Sequence, residues 1–109
     1  MKAFTDIEQS KNLYKILPPD SVDMYWLYAS GKYFCTVKED PLEPIEQEDF
    51  PAWSLAALMN TLPSGKALIH DKEGRGYKCI CNNIDTCFYD NPVDACYEMI
   101  LKLKEKGKL

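Results

Sequence analysis

The stretch Asn91-Pro92-Val93-Asp94-Ala95-Cys96-Tyr97-Glu98-Met99-Ile100-Leu101-Lys102-Leu103-Lys104-Glu105-Lys106-Gly107 carries every signal of an amphipathic helix. Asn91 is a favourable N-cap, Pro92 suits the first helical position, and Gly107 favours a stop. One apolar stripe recurs at helical spacing and consists of Val93, Cys96, Tyr97 and Ile100. This stripe has to be buried, so the rest of the chain must supply a core against it.

Size and composition predict one folded domain over residues 1–109. Hydrophobic residues make up 46% of the chain and charged residues 28%, which is ordinary for a globular protein. The first residues lack the apolar region of a signal peptide, and no apolar run is long enough to span a membrane. We therefore expect a cytoplasmic protein with no membrane partner.

The first half of the chain predicts a helix, a hairpin and a second helix. Thr5-Asp6-Ile7-Glu8 has the form of a capping box, so a helix is expected at about residues 6–16. Aromatic and β-branched residues around a turn predict two antiparallel strands within residues 24–37. Proline at both ends predicts a second helix over residues 51–62.

The second half predicts a meander of three short strands before the final helix. Turn signals separate these strands, which are expected at about residues 66–70, 76–82 and 86–89. The resulting order is α-β-β-α-β-β-β-α. It favours an α+β fold in which helices pack mainly on one face of a twisted antiparallel sheet.

Residues 38–50 are expected to form an acidic, proline-containing loop. From residue 39 to residue 49 the loop contains six acidic residues and no basic residue: Glu39, Asp40, Glu43, Glu46, Glu48 and Asp49. The segment is longer than the usual loop of about four to six residues. It is interpreted either as a solvated linker or as a recognition segment, in which Glu46, Glu48 and Asp49 would contact a partner.

The predicted hairpin carries a surplus of aromatic residues: Tyr25, Trp26, Tyr28, Tyr33 and Phe34. Neighbouring side chains on a strand point to opposite faces, so one aromatic set leaves the core unless both faces are covered. Trp26, Tyr28 and Phe34 are therefore candidate partner contacts, with core packing as the alternative. Trp53 lies off the apolar stripe of the second helix and is either a lid over the core or a further contact.

The five cysteines predict reduced, mostly buried thiols, because their number is odd and free cysteine packs as a small apolar side chain. Cys79 and Cys81, with His70 nearby in sequence, are the only hint of a zinc site. Their C-x-C spacing differs from the usual C-x2-C knuckle. His70 and Asp71 are adjacent on a predicted strand, so they point to opposite faces and make a poor catalytic pair.

No Walker A loop, nucleophile elbow or metalloprotease motif occurs in the sequence. The chain has a single arginine, Arg75, whereas a phosphate-binding surface usually needs clustered basic residues. We therefore expect no enzymatic activity, no catalytic residue, no cofactor, no metal and no nucleic-acid partner.

Three segments resemble those of small uncharacterised proteins encoded by prophages and other mobile elements of gut Bacteroides-type bacteria. They are Asp23-Met24-Tyr25-Trp26, Pro51-Ala52-Trp53-Ser54-Leu55-Ala56-Ala57-Leu58 and Asn91-Pro92-Val93-Asp94-Ala95-Cys96-Tyr97-Glu98-Met99-Ile100. The resemblance spans most of the chain and implies a small cytoplasmic accessory protein, without a catalytic role for any residue.

The leading hypothesis is a non-enzymatic interaction protein that binds an unknown protein partner or itself. Two alternatives remain open. One is an acidic DNA mimic that inhibits a host DNA-binding protein through the acidic residues from Glu39 to Asp49. The other is a small cysteine-dependent enzyme or zinc-binding protein, which would need Cys79, Cys81 or Cys96 beside His70.

Overall fold

Helices and strands make up most of residues 1–37 and 50–109, the part of the chain that the structure, a computed structural model, describes. The elements are α1 (Ile7–Tyr14), β1 (Met24–Ala29), β2 (Lys32–Val37), β3 (Phe50–Ala52), α2 (Leu55–Thr61), β4 (Lys66–Asp71), β5 (Gly76–Cys81), β6 (Ile84–Asp85) and α3 (Pro92–Glu105), with a 3-10 turn at Pro19–Ser21. They confirm the predicted α+β class. Glu46, Glu48, Asp49 and the rest of the expected acidic loop, apart from Phe50, lie outside the described residues.

The strands divide into two antiparallel sheets rather than forming one. The first has the order β2-β1-β3 and the second the order β4-β5-β6. In the first sheet Trp26 lies opposite Cys35 on one side and opposite Phe50 on the other. The third strand of the meander was expected at residues 86–89, whereas β6 is shorter and lies earlier; Tyr89 makes only an isolated bridge to Tyr77.

The second helix begins four residues later than predicted. Residues 50–52 form β3 and pair with β1, so that Pro51 lies opposite Tyr25. Proline is tolerated there because β3 is an edge strand within the described sheet. Ser54 is the N-cap of α2, and its hydroxyl oxygen accepts a hydrogen bond from the Ala57 amide at 3.2 Å.

The final helix is confirmed and packs against β5 and α2. Asn91 caps it by accepting a hydrogen bond from the Asp94 amide at 2.8 Å. The expected stripe is buried in a core that includes Leu13, Trp53, Leu58, Cys79, Val93, Cys96, Tyr97, Met99, Ile100 and Leu103. Within residues 1–37 and 50–109, no helix is long and apolar enough to cross a membrane.

Candidate functional site

Three aromatic rings form a continuous row on one face of the first sheet, which we name the aromatic strip: Tyr28, Tyr33 and Phe50. Tyr28 and Tyr33 face each other across β1 and β2, with ring centroids 5.0 Å apart. The ring of Tyr33 in turn lies 5.4 Å from that of Phe50 on β3. Tyr28 is 41% exposed and Tyr33 is 38% exposed, so this row is part of the protein surface.

Helix α1 supplies a positive charge at one end of the aromatic strip. The Lys11 ammonium group lies 5.4 Å from the centroid of the Phe50 ring, in a cation–π arrangement. The two residues are neighbours because α1 packs against β3. The strip therefore offers flat aromatic area with one cation beside it, a combination suited to protein recognition.

Trp26 lies on the same face as the strip but is tied to the N-terminal segment. Its ring packs edge-on against Phe4, with centroids 5.7 Å apart and an interplanar angle of 77°. Its indole N–H donates to the Thr5 carbonyl oxygen at 3.2 Å. Because the polar atom of this half-buried side chain is already satisfied, Trp26 supports the sheet from within more than it offers a free contact.

Phe34 projects from the opposite face of the hairpin, because it neighbours Tyr33 along β2. It is 52% exposed, and Val37, at the other end of β2, is 62% exposed. The structure therefore brings Tyr28 and Tyr33 together and separates Phe34 from them. Apolar surface is presented on both sides of one hairpin.

Trp53 does not belong to any partner surface of the folded chain, which corrects the expectation that it is a contact residue. Its side chain has no exposed area. The indole N–H donates to Ser21 Oγ at 2.9 Å, and the backbone N–H donates to Thr5 Oγ1 at 3.1 Å. The pairing of residues 50–52 as a strand directs this side chain into the core.

The cysteines and the histidine occupy different environments. Cys79, Cys81 and Cys96 are fully buried, whereas the His70 ring is exposed and stacks on Tyr77 with centroids 4.4 Å apart. Within residues 1–37 and 50–109, no group of three or more His, Cys, Asp or Glu side chains could hold a metal ion. The zinc hypothesis therefore gains no ligand set from the described part of the chain.

A cleft of about 710 Å³ lies between the Pro19–Ser21 turn and α2. Its walls include Asp20, Ser21, Asp23, Ala56, Asn60 and Lys104. Two of its polar groups serve the fold: Asp23 accepts hydrogen bonds from the amide and hydroxyl of Ser54, and Ser21 accepts from Trp53. Among the described residues, no buried side-chain nitrogen or oxygen lacks a partner.

Asp94, at the start of α3, gathers three donors from the N-terminal segment and its own cap. Lys2 Nζ and Gln9 Nε2 each donate to it at 2.8 Å, and Asn91 Nδ2 donates at 2.9 Å. Burial alone raises the pKa of Asp94, but these hydrogen bonds outweigh it and hold the pKa below its ordinary value. The hydrogen bonds from Lys2 and Gln9 to Asp94 therefore hold the N-terminal segment and α1 against the start of α3.

Two residues of the site, Phe50 and Lys11, were not predicted from the sequence, and Tyr33 was noted among the hairpin aromatics without being selected as a contact. Alternation along β2 identified the face of Tyr33 but not its exposure. Phe50 and Lys11 became neighbours only through the pairing of β3 and the packing of α1 on it. No local sequence pattern predicts a contact between Lys11 and Phe50, because the two residues are far apart in the sequence.

No protein-family model, curated protein or solved structure matches this chain significantly.

Proposed function

We propose that the protein is a small, non-enzymatic interaction protein that binds a protein partner, or a second copy of itself, through the hairpin of β1 and β2. One observation carries this proposal. Half of the eight large hydrophobic side chains exposed in the described residues lie on this hairpin, namely Tyr28, Tyr33, Phe34 and Val37.

The free-energy cost of leaving aromatic surface in water supports a binding role for the aromatic strip, whose rings are contiguous. Scattered exposed apolar residues are normal on protein surfaces, but a contiguous aromatic patch marks an interaction site more often than chance. Tyrosine contributes large contact area with little conformational entropy to lose, which is why interfaces favour it. Burial of the aromatic strip and Phe34 by a partner would remove this apolar surface from water.

The edge of the sheet gives a second way to bind. Within the described residues β2 pairs only with β1, so its outer edge carries backbone groups that another strand can join. A partner strand placed along β2 would lie beside Tyr33 on one face and Phe34 on the other.

The proposed biological setting comes from the sequence resemblance to prophage and mobile-element proteins. In this setting the protein is a cytoplasmic accessory protein without a nucleic-acid or membrane partner. The acidic DNA-mimic alternative depends on the acidic residues from Glu39 to Asp49, which lie outside the described residues, so it stays a prediction from the sequence.

A double substitution on the hairpin, Tyr33→Ser with Phe34→Ser, tests the proposal. The matched control is Ile69→Ser, because Ile69 on β4 is 37% exposed, close to the 38% of Tyr33, and lies in the other sheet. Far-UV circular dichroism first establishes that both variants fold. Light scattering coupled to size exclusion then measures self-association, and cross-linking in the native host measures capture of a partner.

We expect the wild-type chain and Ile69→Ser to form the same complex, and the double variant to lose it by at least tenfold in affinity. This corresponds to two buried aromatic contacts, each of which contributes more than about 1 kcal/mol when it is a hot spot. A wild-type chain that stays a monomer and captures nothing would refute the proposal. A complex that survives the double substitution would refute the assignment of the surface.

A further inference from the structure

The cleft between the Pro19–Ser21 turn and α2 is separate from the hairpin that carries the proposed interaction surface. Its volume of about 710 Å³ lies within the range of about 300–1,000 Å³ that is typical of small-molecule sites. None of the described residues that line it belongs to β1 or β2. A ligand in this cleft would therefore bind independently of a protein partner on the hairpin.

Hydrogen bonds of the fold hold the walls of the cleft in place. Ser21 donates from its hydroxyl to the Pro18 carbonyl oxygen at 2.6 Å and accepts from the Trp53 indole at 2.9 Å. Asp23 accepts from the amide of Ser54, the N-cap of α2, at 2.9 Å. Because these bonds join the turn to the start of α2, the cleft is formed before a ligand arrives, which lowers the ordering cost of binding.

Aliphatic side chains make up much of the lining. Leu17 and Ala57 are buried, and Ile16 and Val22 beside them are half-buried. Removal of apolar surface from water favours a ligand that places its own aliphatic groups against these walls. A wholly polar ligand would lose this contribution.

Three lining residues have polar side chains that the fold does not use: Asp20 on the turn, Asn60 on α2 and Lys104 on α3. All three are exposed. Within residues 1–37 and 50–109, none of these side chains forms a hydrogen bond or an ion pair. Asp20 and Lys104 have opposite charges and are not paired with each other. The cleft therefore presents one anion and one cation at separate points of its lining.

We propose that this cleft binds a short apolar peptide with free termini. The ammonium group of the peptide donates to the Asp20 carboxylate, and Lys104 donates to the terminal carboxylate of the peptide, so both contacts are charge-assisted hydrogen bonds. The Asn60 amide both donates to and accepts from a peptide group between them. A ligand with a single charge satisfies only one of the two charged residues, which is why both termini belong to the recognised chemistry.

The size of the cleft sets the length of the peptide. A sphere with the volume of the cleft is about 11 Å across. An extended chain advances about 3.3–3.6 Å per residue, so two or three residues span this distance. Their aliphatic side chains then lie against Leu17 and Val22.

Heteronuclear NMR of the full chain tests the inference, because the two tryptophans give indole N–H signals from different places. Trp53 donates to Ser21 in the wall of the cleft, whereas Trp26 donates to the Thr5 carbonyl oxygen. Titration with trileucine should shift the Trp53 signal and leave the Trp26 signal in place. A Trp26→Phe variant assigns the two signals.

Blocked peptides and charge variants test the two ends of the ligand. N-acetyl-trileucine lacks the ammonium group and trileucine amide lacks the carboxylate. Each should bind about three- to tenfold more weakly than trileucine, as expected for the loss of one hydrogen bond between charged groups near the surface. Asp20→Asn should remove the difference between trileucine and its acetylated form, and Lys104→Met should remove the difference between trileucine and its amide. The matched controls are Asp90→Asn and Lys72→Met, which change exposed residues outside the cleft.

A blocking substitution tests the location. Ala56 is exposed and lines the cleft, so Ala56→Leu should weaken trileucine binding by about tenfold, because it displaces one aliphatic contact. Ala67→Leu, at an exposed position on β4, should not change the affinity. Far-UV circular dichroism establishes that both variants fold.

The hairpin double variant Tyr33→Ser with Phe34→Ser should bind trileucine like the wild-type chain, so this inference and the proposed function fail separately. The inference is overturned if trileucine at millimolar concentration does not shift the Trp53 signal, or if Ala56→Leu binds it as tightly as the wild-type chain. It is also overturned if the blocked peptides bind as well as trileucine.

Discussion

Replacing Trp53 by phenylalanine should lower the free energy of unfolding by roughly 2–3 kcal/mol. Two losses add up to this value. Phenylalanine leaves the volume of the second indole ring empty in a site with no exposed area, which costs roughly 1–2 kcal/mol. It also removes the donor of the 2.9 Å hydrogen bond to Ser21 Oγ, which contributes about 1 kcal/mol.

Urea denaturation followed by far-UV circular dichroism measures this change, because the signal does not depend on the tryptophan that is removed. A loss of 2–3 kcal/mol should lower the melting temperature by roughly 10 °C in a domain of this size. Phe34→Leu is the control, since Phe34 is 52% exposed and its replacement should change stability by no more than about 0.5 kcal/mol.

A double-mutant cycle separates the hydrogen bond from the packing. Ser21→Ala leaves the buried indole N–H without its acceptor, which should cost about 1–3 kcal/mol. In the Trp53→Phe background the same change should cost much less, because the donor is already gone. If Trp53→Phe were as stable as the wild-type chain, or if the two substitutions were strictly additive, the burial and hydrogen bonding assigned to this side chain would be wrong.

The turn glycines and the acidic group at α3 give two more tests. Gly76→Ala should destabilise the chain by at least about 1 kcal/mol more than Gly74→Ala, as measured by thermal unfolding. Both glycines have positive φ, but only at Gly76 would an added Cβ meet backbone, 2.1 Å from the Tyr89 carbonyl oxygen. Equal losses of stability in the two variants would contradict this close approach. The folded-state pKa of Asp94 lies below its unfolded value, so its contribution is present at neutral pH and is lost as the pH falls through the folded pKa. Stability measured between pH 7 and pH 2 should therefore fall less in Asp94→Asn than in the wild-type chain, and parallel curves would contradict the assignment.

The candidate site was only partly visible in the sequence. Alternation along the hairpin identified Tyr28 and Phe34 as aromatic residues on opposite faces, and both are exposed. Alternation also placed Trp26 among possible contacts, and the helical spacing of the predicted second helix placed Trp53 there, because periodicity reports which side of an element a residue occupies and not what covers that side. The covering elements are the N-terminal segment for Trp26 and the core for Trp53.

The sequence alone determined the elements whose signals are local. The Asn91 cap, the adjacent proline and the helical spacing of Val93, Cys96 and Ile100 predicted α3, because hydrogen bonds and side-chain contacts within a few residues set them. The hairpin turn and its two strands were equally local.

Only the tertiary structure decided the secondary structure of residues 50–53 and the burial of Trp53. Pro51 is a favourable first residue of a helix, yet pairing with β1 made this segment a strand and delayed α2 until Ser54 could cap it. That pairing placed Phe50 beside Tyr33 and turned Trp53 inward. The physical reason is that ladder hydrogen bonds and burial against a distant strand outweigh a weak local helix preference, and those partners lie beyond the range of any sequence pattern.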